Sequence, residues 1–460
     1  MKRNTRSLIA GFLILTLATL ACGISIPGGA AIDNAATSVA GTINALAETA
    51  GVALTAIPHD LPTFDLPTLP PVPVEYPIRA AFVSPDGNLY TWAEGMAAPL
   101  QLTFTGDVNS SSVSPDGTLI AYTRYASYVL VSLDIINSDG TNQRTLLNAA
   151  GFAALPHPAE SVGVEPYQIK WAPNSHILAM NTRITYEGPG LQIGDNLFLI
   201  NGDTGAMSTL ISVGPSWRFF YSPDGTKIAI TYPTGIDIYN SDGAKIAGPV
   251  LVHDFINTAS EYAWVTSPVW SADGATLAGG IPPKEPWVDA PANSYVYQVA
   301  ADGLSGGLVF GAPMPGMTGG SVAVSPDLNK ILYYTRLGLP ADNTYTLHVA
   351  NIDGSANVDY ATGRFRGDPV WSPDNSHFFY TLGDGLSSNS FIGQVGVGPA
   401  AVMDYNNAID AQWVDANRYL VTTNNAGRWR LLLGTIGAPT GLIYDSISPY
   451  TSRLTFSVNR

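Results

Sequence analysis

The chain has 460 residues, 46% of them hydrophobic and only 12% charged, with 46 Gly, 34 Pro and 22 Tyr. So small a charged share beside so many turn formers suits short strands and tight turns, and excludes a chain of long solvated helices. The formal charge of −15 excludes a nucleic-acid backbone as an expected partner, because that contact needs a basic surface.

The first residues read "MKRNTRSLIAGFLILTLATLACG". Lys2, Arg3 and Arg6 precede an apolar core from Leu8 to Leu20. That core is short for a membrane span and fits a signal peptide over residues 1–21. Cys22, the sole cysteine, stands at its end. "TLAC" at Thr19–Cys22 resembles the bacterial lipobox, although Thr19 stands where that pattern prefers Leu. The resemblance implies that Cys22 is lipidated and becomes the mature N-terminus; ordinary signal cleavage beside a chance cysteine is the alternative. A single cysteine allows no intrachain disulfide, so packing alone must hold the fold.

Residues 22–77 read as a stalk. Up to residue 57 the side chains are small and apolar, and residues 58–77, "PHDLPTFDLPTLPPVPVEYP", contain seven prolines. Proline at that density favours an extended polyproline-type spacer.

From residue 78 to 460 the chain repeats. A turn word recurs as Ser84-Pro-Asp-Gly, Ser114-Pro-Asp-Gly, Ala172-Pro-Asn-Ser, Ser222-Pro-Asp-Gly, Ser271-Ala-Asp-Gly, Ser325-Pro-Asp-Leu, Ser372-Pro-Asp-Asn and Val414-Asp-Ala-Asn. The spacings are 30, 58, 50, 49, 54, 47 and 42 residues, mostly near the period of propeller blades. In a full unit an aromatic residue or Val ends a first strand, as at Trp171, Tyr221, Trp270, Trp371 and Trp413. The tight turn follows, then a second strand such as "KIAITY", a third strand, a second Asp-Gly turn and a weaker fourth strand. Four antiparallel strands per repeat make a blade. These words resemble the TolB-type, WD40-like propeller repeat.

The first copy differs. Ile78–Val83 reads as a second strand, Leu89–Trp92 as a third and Leu100–Thr103 as a fourth. The missing innermost strand is expected from "RLTFSV" at Arg453–Val458, so that the chain ends close the ring and remove its open edges. The expectation is an all-β propeller of eight four-stranded blades, or seven should the last unit be degenerate.

Tight turns fall at one end of each blade and the long connections at the other. Inserts are read at Asn148–Pro166, Ile184–Asp195, His253–Ser267, Ile281–Asn293, Gly311–Gly320 and Leu337–Asn343. Long loops repeated on one side point to binding there. Tyr186, Tyr262, Trp264 and Trp287 are candidates for stacking on a sugar or anchoring a protein. Arg124, Arg183 and Arg336 each follow a Thr at the end of a second strand, and Lys284 lies close to the matching place. Such cations could ring the channel mouth and hold an anion, or form surface ion pairs.

Catalytic signals are poor. Gly303-Leu-Ser305-Gly-Gly307 fits a nucleophile-elbow pattern but follows a hairpin and precedes no helix. The six histidines are scattered without metal-ligand spacing. No catalytic residue, metal or cofactor is therefore assigned. The expectation is a lipid-anchored, extracytoplasmic, monomeric binding scaffold of the bacterial envelope, at the cell surface or in the periplasm. Its partner would be an envelope protein or a glycan. The alternative is an enzyme acting on polysaccharide or peptide at the channel mouth.

Overall fold

The computed structural model describes residues 77–460, except 187–193, 216–217, 260–261, 285–292, 315–321, 338–343, 384–387, 407, 449–453 and 460. Cys22, the stalk and Trp287 lie outside the described residues. Among the described residues no helix is long and apolar enough to cross a membrane.

The chain forms eight four-stranded antiparallel sheets in succession, the blades of a propeller. One small hairpin, Asn257–Ala259 with Tyr262–Ala263, lies between the fourth blade and the fifth. Blade 1 takes its innermost strand from the C-terminus: Thr455–Val458 pairs with Arg79–Val83, and Leu89–Ala93 and Leu100–Gln101 complete it. Blade 2 comprises Val108–Val113, Leu119–Ala126, Val129–Asn137 and Arg144–Asn148. Blade 3 comprises Ser161–Trp171, Ile177–Tyr186, Gly194–Asn201 and Met207–Pro215. In blade 4 the strands are Arg218–Tyr221, Lys227–Tyr232, Gly235–Asn240 and Lys245–Val252. In blade 5 they are Val269–Trp270, Thr276–Ile281, Ser294–Ala300 and Gly306–Ala312. Blades 6, 7 and 8 begin with Val322–Val324, Val370–Trp371 and Ala408–Trp413. The eight-blade reading holds, and the last unit is a full blade.

The core lies between blades. Leu133 and Ile135 of blade 2 pack with Trp171, Leu178, Met180 and Phe198 of blade 3. Ile236 and Ile238 of blade 4 meet Trp270, Leu277 and Tyr297 of blade 5. A middle strand therefore has a neighbouring blade on each side. This is why "KIAITY" reads as a continuous apolar run and is buried from Ile228 to Thr231. The outermost strands have water on one side, and Lys245–Val252 is mostly exposed.

The turn word works through its serine as much as its glycine. Ser222 is fully buried. Its hydroxyl donates to Asp224 Oδ1 at 2.6 Å and accepts from the Lys227 N–H at 2.9 Å. Asp224 also accepts from the Thr226 N–H at 3.0 Å. Gly225 takes φ 72°, which closes the turn without a Cβ penalty. The geometry ties the ends of the first two strands and sets their register, with Tyr221 opposite Ile228.

Candidate functional site

With this strand order the inserts join second to third strands, or one blade's fourth strand to the next blade's first. They lie at the end opposite the tight turns. Part of what reads as insert is regular structure. In Asn148–Pro166 a short helix, Ala149–Ala153, is capped by Asn148, whose Oδ1 accepts the Gly151 N–H at 2.8 Å. The first two strands of blade 3 then run on as a long hairpin, paired out to Ser161 opposite Tyr186. Tyr186 ends that hairpin half-buried against the core of blades 2 and 3.

Each of the candidate cations has its own partner. Arg124 makes a two-point contact with Asp107, Nε to Oδ1 at 3.1 Å and Nη2 to Oδ2 at 2.7 Å. Its Nη1 lies 3.6 Å from Asp134, a carboxylate only 1% exposed, so Arg124 supplies the charge that makes that burial tolerable. Burial alone would raise the Asp107 pKa, but the Arg124 hydrogen bonds bring it below the ordinary carboxylate value. Arg183 pairs with Glu165 at 2.9 Å, and Lys284 with Asp254 at 3.3 Å. The Arg336 guanidinium lies 6.0 Å from the centre of the Tyr345 ring.

Of the candidate aromatics, Trp264 is 8% exposed and packs with Leu251, Ile256 and Trp270. Its area is spent on the inter-blade core. Tyr262 lies on the small hairpin. Lys284 borders a larger feature. A cleft of about 580 Å³ runs between the last strand of blade 4 and the third and fourth strands of blade 5. Val252 (68% exposed), Tyr295 (39%) and Leu308 (56%) give it an apolar wall. Two inserts meet at one end of it, through His253 and Ile256 on one side and Ile281–Lys284 on the other.

His253 defines the polarity of that end. Its Nδ1 is 2.8 Å from the Asp254 carbonyl oxygen, which can only accept, so Nδ1 carries the proton and Nε2 is an acceptor. Burial lowers the His253 pKa and keeps the ring neutral near pH 7. Among the described residues its buried Nε2 has no hydrogen-bond partner. Composition could not have flagged this cleft, because its walls come from strands read as ordinary blade edges.

On the opposite, tight-turn face His176 of blade 3 links two turns. Its Nε2 is 2.9 Å from Asp116 of blade 2, and its Nδ1 is 2.9 Å from Asp203. The Ser305 of the elbow-like pattern sits in the hairpin turn of blade 5, where its carbonyl accepts the Ala300 N–H at 2.9 Å. Among the described residues no three His, Cys, Asp or Glu side chains gather as metal ligands do.

No known family profile and no curated protein matches the chain. Several solved structures are similar in fold. A eukaryotic initiation factor matches with a TM-score of 0.50 at 14% identity, over 83% of this chain and 98% of that one. An oligogalacturonate lyase in complex with manganese matches with a TM-score of 0.41 at 17% identity, over 64% of this chain and 79% of that one. TolB from Acinetobacter baumannii is also matched, with a TM-score of 0.30 at 16% identity, over 60% of this chain and 62% of that one. At these identities the likeness is one of fold alone, the bladed fold that the turn words imply.

Proposed function

We propose that this chain is an extracytoplasmic binding scaffold of the cell envelope, held at the membrane by a lipid on Cys22 and presenting the propeller beyond a proline-rich stalk. The carrying observation is the cleft between blades 4 and 5, whose exposed apolar wall lies beside the inserts. Exposed apolar surface in a concave site gains from being covered. A protein segment that presents apolar side chains fits this chemistry. The enzyme alternative is not favoured, since Arg124, Arg183 and Lys284 at the blade ends are engaged with carboxylates.

The test uses the full chain in its native membrane. Crosslinking from Leu308 and Val252 should recover a specific envelope partner. Leu308→Asp combined with Val252→Asp should lose that partner while the melting temperature stays within a few degrees. Unchanged capture by the double variant removes the cleft from the account. For the anchor, Cys22→Ser should move the protein from the membrane fraction to the soluble one, and persistence in the membrane refutes lipidation.

A further inference from the structure

The innermost strands of blades 2 and 3 can be matched residue by residue, because Val113 and Trp171 each end directly before a turn. Three residues before Trp171 stands Gln168. Its Nε2 donates to the Phe219 carbonyl at 3.0 Å, and the Phe219 N–H donates back to its Oε1 at 3.1 Å. This amide spans from blade 3 to blade 4 and closes the inner end of the gap between them. Three residues before Val113 stands Ser110. Among the described residues its hydroxyl bonds Thr123 Oγ1 alone, 2.7 Å away on its own blade. Ser110 also sits in a run of short polar side chains, Asn109-Ser110-Ser111-Ser112. Nothing there is long enough to cross to blade 3.

The result is a cavity of about 270 Å³ at the inner end of the gap between blades 2 and 3. Innermost strands border the central channel of a propeller, so the cavity faces it. Asn109 and Ser110 are exposed and Tyr167 is 40% exposed, which leaves the mouth open to solvent. Ser110, Ser112 and Thr123 offer hydroxyl groups, and Tyr125 and Tyr167 offer rings. None of the eleven lining residues carries a formal charge. Arg218, outside the lining, donates to Tyr167 Oη at 3.4 Å and to Ser267 Oγ at 3.1 Å, which restrains the tyrosine.

This chemistry selects its ligand. Hydroxyls both donate and accept, so they match a ligand that is itself rich in hydroxyls. Aromatic faces cover the apolar C–H faces of such a ligand. An ionised group would lose water here and find no charged side chain among the lining residues to replace it, the nearby Arg218 being turned to Tyr167 and Ser267. We propose that this cavity binds a neutral hexose unit at the channel wall. The inference rests on reading the chain as a binding protein but uses a site apart from the flank cleft. Partner capture without sugar binding, or the reverse, tells the two failures apart.

The test is saturation-transfer NMR on the full chain in detergent micelles, with glucose, galactose, N-acetylglucosamine and glucuronate as probes. Transfer is expected to at least one of the three neutral sugars. Glucuronate, which differs from glucose by a carboxylate, should bind at least tenfold more weakly. Ser110→Gln should abolish transfer, because a glutamine at this position can bridge to Ile169 as Gln168 bridges to Phe219. Tyr167→Ala should weaken binding about tenfold through the lost ring face. Near-UV circular dichroism and melting curves check the fold of both variants. If Ser110→Gln does not fold, Tyr167→Ala decides, since its ring is partly in solvent. No transfer to any neutral sugar overturns the proposal, as does equal or tighter binding of glucuronate. Wild-type binding by a folded Ser110→Gln, or by Tyr167→Ala, also overturns it.

Discussion

At the scale of single residues, one turn aspartate does different work in different copies. Asp224 is satisfied within its own turn by Ser222 and Thr226. Asp116, in the same word one blade pair away, also reaches His176. Burial opposes a charge on the His176 ring, but its hydrogen bonds to Asp116 and Asp203 outweigh burial and raise its pKa above 6.5. Folding then favours the protonated ring. The stabilisation is complete below pH 6.5 and is lost as pH rises through the higher folded-state value. His176→Ala should therefore lower the melting temperature most at about pH 5.5, with the gap to wild type narrowing by about pH 9. A gap that is the same at both pH values would mean that the ring acts by packing alone. The sequence shows His176 only as one of six scattered histidines. Its partners lie 60 and 27 residues away: Asp203 comes from the second turn of the same blade, and Asp116 is brought to it by the stacking of blade 2 on blade 3.

At the scale of elements, the recurring tryptophans do more than fill space. Trp171, Trp270, Trp371 and Trp413 are buried, as their recurrence at one repeat position implies. Each also donates its Nε1–H to a backbone carbonyl on another blade: to Ser112 at 3.1 Å, Phe220 at 3.1 Å, Ala323 at 2.8 Å and Val370 at 3.1 Å. In each case the acceptor is the residue before the last of the preceding blade's first strand. The indole thus packs one blade and pins it to its neighbour. Trp371→Phe keeps most of the buried area but leaves the Ala323 carbonyl without this donor. The expected loss is about 1–2 kcal/mol in denaturant unfolding. A change under about 0.5 kcal/mol would show the bond to be incidental. The periodic position of these residues is legible in sequence, whereas the acceptor is not, because a carbonyl has no sequence signature.

At the scale of the whole molecule, the ring is closed by its two ends. Thr455–Val458 lies along Arg79–Val83, with Ala80 opposite Val458 and Val83 opposite Thr455. Asn459 clasps the joint: the Arg79 N–H donates to its Oδ1 at 2.7 Å, and its Nδ2 donates to the Pro77 carbonyl at 3.1 Å. Arg418 of blade 8 holds Glu94 of blade 1 at 2.9 Å. Phe456 and Val458 pack with Phe82, Leu420 and Trp429 across the same joint. Removing residues 454–460 would bare the edge of Arg79–Val83 and uncover that apolar cluster. The truncated chain should associate in a concentration-dependent way by size-exclusion chromatography and melt well below the full chain. A monomer of unchanged melting temperature would refute closure as a source of stability.

What the sequence determined by itself is the architecture. Turn words with a serine, an acceptor aspartate and a residue of positive φ act within a few residues, so their recurrence reveals the blades and the borrowed strand, while the choice of eight over seven rests on the last unit pairing as a full blade. One reversal shows the limit of the word. The first copy, Ser84 to Gly87, joins a second strand to a third, so it lies on the insert side, where the Gly87 carbonyl accepts the Val108 N–H at 2.9 Å. What only the tertiary structure decided is which side chains meet across blades. The Gln168 bridge, its absence at Ser110, the His176 link and the flank cleft join residues tens of positions apart in different units. Local turn chemistry repeats in each blade. Recurring tryptophans pin blade to blade, but what else crosses each gap is set by residues that do not repeat, and no single repeat contains both sides of a gap.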